Sequence, residues 1–143
     1  MTLRPIALLA ASTACALALA ACGGEREFSP EEFVEEINGA GAALALGPVL
    51  TENEEGLPVH SVSFTEAAPT PSGTDGSEAD IHGSATMIAY EDADAARAEF
   101  ARCETAPILT CFRVANVVLR FEGLAAEDRA RLVVAVESLQ SEG

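Results

Sequence analysis

Residues 84–122, SATMIAYEDADAARAEFARCETAPILTCFRVANVVLRFE, decide the fold. In 84–90 the apolar residues Met87, Ile88 and Ala89 are consecutive, so a strand there is apolar on both faces and belongs in the middle of its sheet. Over 91–102 the period changes. Ala93, Ala96, Phe100 and Cys103 recur at helical spacing, and Asp92 and Asp94 suit the positive N-terminal end of a helix. Residues 112–121 return to Val, Leu and Phe and read as strand, either one long strand or a hairpin turning at Ala115-Asn116. A last helix over 125–139 carries Leu132, Val133, Val136 and Leu139 on one stripe, with Glu127, Asp128, Arg131 and Glu137 outside.

Upstream, Phe28-Ser29-Pro30-Glu31-Glu32-Phe33 is a helix start. Ser29 is placed to cap, Pro30 to take the first helical position, Glu32 to close a capping box, and Phe28 and Phe33 to form a hydrophobic staple. Phe33, Val34 and Ile37 give the apolar stripe, and Asn38-Gly39 ends it. Residues 42–46 make a weak strand that Gly47-Pro48 interrupts, and 52–56 are a polar connection. Over 59–65 His60, Val62 and Phe64 alternate with Ser61 and Ser63, the period of a half-buried strand. Residues 67–83, with Pro69, Pro71, Gly73 and Gly76, read as a flexible loop. The expectation is one α+β domain over 28–143: a small two-layer sandwich, mainly antiparallel, with about three helices packed on one face.

The first 21 residues differ in kind. Arg4 is their one charge, and an apolar run of about 14 residues follows it, roughly 21 Å as a helix against a hydrocarbon core of about 30 Å. That is the layout of an export signal rather than of a permanent span. The run ends in Leu19-Ala20-Ala21-Cys22-Gly23. These residues resemble the lipobox of bacterial lipoproteins, a Leu and two small residues before a Cys. The resemblance implies a diacylglyceryl group on the sulfur of Cys22, removal of 1–21, and a lipidated tether over 22–27. It implies a domain exported and anchored in the bacterial cell membrane, outside the cytoplasm. The strand–helix–strand–helix stretch from Ser84 is loosely similar to small uncharacterised envelope lipoproteins of GC-rich bacteria, a likeness that implies no activity.

The 143 residues hold no Lys, 8 Arg and 23 acids, for a formal charge of −15. Losing Arg4 with the signal leaves seven Arg against the same acids and a charge of −16. Such a balance argues against a nucleic-acid partner, which needs clustered cations. It also argues that anionic headgroups repel the domain, so that the lipid alone anchors it and the domain stands off the surface. Among the cysteines, Cys15 leaves with the signal and Cys22 takes the lipid. Cys103 and Cys111 remain as an even pair in a disulfide-permissive compartment. A disulfide suits them better than a redox-active dithiol, which favours Cys-x-x-Cys, or a metal site, which needs further ligands.

Residues that carry chemistry are few. His60 shares its face with Val62 and Phe64 and reads as a partly buried imidazole. No Gly-x-Ser-x-Gly elbow accompanies Ser61 or Ser63. Asp75, Glu78, Asp80 and His82 could meet a cation, but they lack the calcium-loop pattern and read as a solvated acidic loop. The expectation is therefore no enzyme, no catalytic residue, no metal and no cofactor. A lipid-anchored binding or interaction domain of the cell envelope comes first, with a basic envelope protein as its partner besides the membrane. A structural or accessory lipoprotein without a small ligand is the alternative, and a hydrolase using surface carboxylates comes last.

Overall fold

Met87 and Ile88 are neighbours and both are buried, which a strand achieves only with both sheet faces covered. A computed structural model describes residues 25–65 and 84–142 and shows how this is done. The order is α1 (Pro30–Gly39), β1 (Leu44–Glu52), β2 (Pro58–Phe64), β3 (Ala85–Ala89), α2 (Ala93–Glu104), β4 (Leu109–Val114), β5 (Val117–Glu122) and α3 (Ala126–Ser141). The five strands form one sheet in the order β1-β2-β3-β5-β4, every neighbouring pair antiparallel. The α+β class, the antiparallel sheet and the three helices are as expected, and β3 is the central strand. Because β5 lies between β3 and β4, the β3–α2–β4 connection spans it as a split β-α-β unit.

The helices do not all share a face. Met87, Val117, Leu119 and Phe121 point to the side where Phe33 and Ile37 of α1 and Leu132, Ala135 and Val136 of α3 close the main core. Val59, Ile88, Tyr90 and Val118 point the other way, onto Ala96 and Phe100 of α2. The layering is thus corrected to α2 on one face and α1 with α3 on the other. The stripe Ala93, Ala96, Phe100, Cys103 says that α2 buries a side, not which sheet face receives it.

Local structure follows the sequence closely in places. Ser29 Oγ accepts from Glu32 N at 3.3 Å, and Glu32 Oε2 accepts from Ser29 N at 3.0 Å. The Phe28 and Phe33 rings meet edge-on, 5.9 Å apart. Asn38-Gly39 still belongs to the helix, and the left-handed residue after it is Gly41, at φ 97°. Asp92 caps α2 by accepting from Ala95 N at 2.8 Å. Residues 109–122 form the hairpin rather than one strand, with Val114 opposite Val117. Cys103, in the last turn of α2, and Cys111, in β4, stand at disulfide distance with Cα atoms 6.2 Å apart.

Elsewhere the structure departs from expectation. Gly47-Pro48 does not end β1; the strand runs on to Glu52 and absorbs the pair in register shifts between Leu46 and Thr51. Gly47 passes so near Ser61 that a Cβ there would collide with Ser61 Oγ. In α3, Asp128 is turned inward and accepts from Arg131 at 3.1 Å, whereas Val133 lies at the exposed margin and Ala135 takes the core position. Residues 1–24, with the export signal and Cys22, lie outside the described residues. So does the whole of the 67–83 loop reading, including Asp75, Glu78, Asp80 and His82.

Candidate functional site

Asn116 is 3% exposed, and its whole side chain is hydrogen-bonded. Oδ1 accepts from Phe28 N at 2.7 Å, and Nδ2 donates to Phe28 O at 3.0 Å and to Tyr90 O at 2.8 Å. Its own carbonyl accepts from Tyr90 N at 2.8 Å. Ala115 takes the left-handed turn conformation, at φ 49°, so the amide of Asn116 is left to join three segments far apart in sequence. The chain entering from the N-terminus is thereby fastened to the β4–β5 turn and the end of β3.

Residues 25–27, expected as tether, lie against the domain. Glu25 accepts from Arg113 Nη1 at 3.2 Å and from Arg97 Nη2 at 3.4 Å. Arg26 donates to Glu36 at 2.9 Å while its guanidinium lies 4.6 Å over the Phe28 ring. Arg113 also donates to Ala115 O at 2.8 Å, and its own carbonyl accepts from Gln140 Nε2 of α3 at 2.9 Å. Between these parts lies an open groove of about 630 Å³. Phe28 and Leu139 give it an apolar floor, and Glu25, Arg113, Gln140 and Glu142 stand on its rim. A second recess of about 450 Å³ between α1 and α3 shares Glu36, Leu139 and Glu142 with it and adds Glu35. Such walls offer apolar contact flanked by carboxylates, of which Glu25 and Glu36 are paired to Arg113 and Arg26.

The other polar cluster lies under α2. Glu99 pairs with both Arg120 of β5 and Arg102. Burial pushes the Tyr90 phenol above its ordinary range, and the Glu99 carboxylate adds to the effect. At α1 the hydrogen bond from the Ser29 amide holds the Glu32 carboxyl below its ordinary range.

His60 is half-buried with Nδ1 3.4 Å from Gly47 O, and Ser61 Oγ donates to Pro48 O, so both serve β1. Among the described residues no group of three or more His, Cys, Asp or Glu side chains is gathered to hold a metal, and no helix is long and apolar enough to cross a membrane. Sequence reasoning missed Glu25, Arg26, Arg113, Asn116 and Gln140. Arg113 alone left a signal, as a lone cation inside an apolar strand. No protein-family model matches this chain, and comparison with curated proteins and with solved structures finds nothing similar.

Proposed function

We propose that the chain is an exported lipoprotein, anchored through a diacylglyceryl group on Cys22 to the bacterial cell membrane. Its domain is a binding or interaction module of the cell envelope whose partner is a cationic protein segment. The observation that carries the anchoring is Leu19-Ala20-Ala21-Cys22 at the end of a short apolar run. Two or more acyl chains give stable attachment where one does not. Mass spectrometry of the mature protein from its host tests this directly. The expected product begins at Cys22 with lipid on sulfur; another N-terminus, or a free thiol there, overturns the reading.

Charge and the groove support the partner class. Arg26, Arg97, Arg102, Arg113, Arg120 and Arg131 all stand in ion pairs within the domain. The many carboxylates beyond those pairs leave the surface strongly negative, and Glu35 and Glu142 line the groove and its neighbour beside the arginine-paired Glu25 and Glu36. Attraction between such a surface and a basic partner weakens as salt rises. Capture from membranes with the intact protein should recover a partner that is cationic on its contacting face and elutes with salt. A salt-insensitive complex, or one with an acidic partner, overturns the electrostatic reading.

A further inference from the structure

We infer that the bilayer faces one end of the sheet, the end carrying the Ala115-Asn116 turn, and that the opposite end is presented outward. The inference rests on the lipid anchor at Cys22 proposed above, and it replaces the expectation of a domain standing well off the surface. Residue 22 is separated from Glu25 by Gly23 and Gly24 alone. Those three steps of chain reach about 10 Å when fully extended. From Glu25 onward the chain lies against the domain, held first by exposed ion pairs and from Phe28 by buried contacts. Glu25 is paired to Arg113 and Arg97, Arg26 to Glu36, and both main-chain groups of Phe28 to Asn116, with the Phe28 ring in the core.

The strands define the two ends. Val114, Val117 and Ala89 are aligned beside Asn116 at the anchored end, and the β3–α2 junction at Glu91 follows there. The α2–β4 connection, whose Ile108 is 71% exposed, lies at the other end, where Leu109 pairs with Glu122. Strands of six residues separate the ends by about 20 Å. A link of about 10 Å cannot turn such a body over, although it leaves the tilt of the strands free. The anchored end therefore faces a phospholipid surface, held there by chain length against the repulsion between headgroups and carboxylates. A cationic segment seated in the groove, which Glu25, Val114 and Ala115 line at that same end, lies beside the headgroups.

The test measures distance from the bilayer. A dye is placed by azide chemistry at Glu91 or at Ile108, and energy transfer is read to an acceptor lipid in phosphatidylcholine vesicles. One arm uses the lipidated protein from membranes. The other uses chain processed to Cys22 and coupled there to a maleimide lipid. In both arms the dye at Ile108 should lie farther from the bilayer than the dye at Glu91, by at most about 20 Å. A flexible Gly/Ser insert of about 20 residues between Gly24 and Glu25, reaching roughly 25 Å, should erase the difference. Equal distances without the insert, a reversed order, or a difference that survives the insert overturns the inference. Protein recovered from membranes without lipid overturns the anchoring on which the inference rests; equal distances in the coupled arm overturn the orientation alone.

Discussion

Asn116 concentrates more of the architecture than any other polar side chain described. Replacing it with Leu keeps the bulk but leaves Phe28 N, Phe28 O and Tyr90 O without partners in a buried site. Each such group costs about 1–3 kcal/mol, so a loss of about 3 kcal/mol or more is expected from urea unfolding. Asn116→Asp keeps the acceptor for Phe28 N but sets a carboxylate against two carbonyl oxygens. That variant should be weaker at neutral pH and recover as acid protonates it. Tyr90 gives a second reading at this scale, because it is the one Tyr in a chain without Trp. With its folded pKa raised, its contribution to stability is complete below the unfolded phenol pKa and is lost as pH rises through the folded value. Phenolate absorbance should therefore emerge later in native protein than in urea-unfolded protein; coincident titrations would contradict this.

Among the elements, α1 was legible in full at its start because capping is local chemistry. Ser29, Pro30 and Glu32 need only each other, and the staple needs only Phe28 and Phe33. Ser29→Ala should cost about 1 kcal/mol, measured by denaturant unfolding. The Glu32 carboxyl has a depressed pKa, so its support is present above the unfolded Glu pKa and fades as pH falls through the folded value. Protection of the Ser29 amide, taken relative to its intrinsic exchange rate at each pH, should fall over that acidic range, and Glu32→Gln should remove the pH dependence. The Cys103–Cys111 link was also readable, from the parity of the cysteines left once Cys15 and Cys22 are set aside. Its loss in the double Ala variant should cost roughly 2–3 kcal/mol by chain entropy and loosen α2 from β4 first, as hydrogen exchange would show. By contrast β1 was misread because Gly47-Pro48 is a strong local breaker signal. Only the matches of Val49 to His60, Thr51 to Val59 and Glu52 to Pro58 carry the strand past it, and they lie outside the window in which the pair is read.

For the whole molecule, what the sequence hid were contacts between distant segments. The stripe on α2 fixed its buried side but not its sheet face. Asn116 read as a turn residue because the partners of its amide lie 26 and 88 positions away. Glu25 and Arg26 read as tether because short charged runs after a signal are usually solvated, and Arg97 and Arg113 became visible as partners only in three dimensions. The groove, assembled from residues 25–36, the β4–β5 hairpin and the end of α3, had no local trace at all. Two features of that assembled surface remain directly testable: the salt dependence of partner capture and the distance order of Glu91 and Ile108 from a bilayer.

The margins of the sheet have a consequence for crowded surroundings. An unpaired strand edge invites other copies to add on, strand by strand, into fibres. At the β1 margin Asn38 holds both main-chain groups of Leu44 at 2.7 Å, and Pro48, which has no N–H to offer, sits in the shifted middle of the strand. At the β4 margin Gln140 occupies the Arg113 carbonyl. On the lipid anchor proposed above, copies are confined to a plane and meet far more often than in bulk, and these obstructions would keep such meetings from seeding polymerisation.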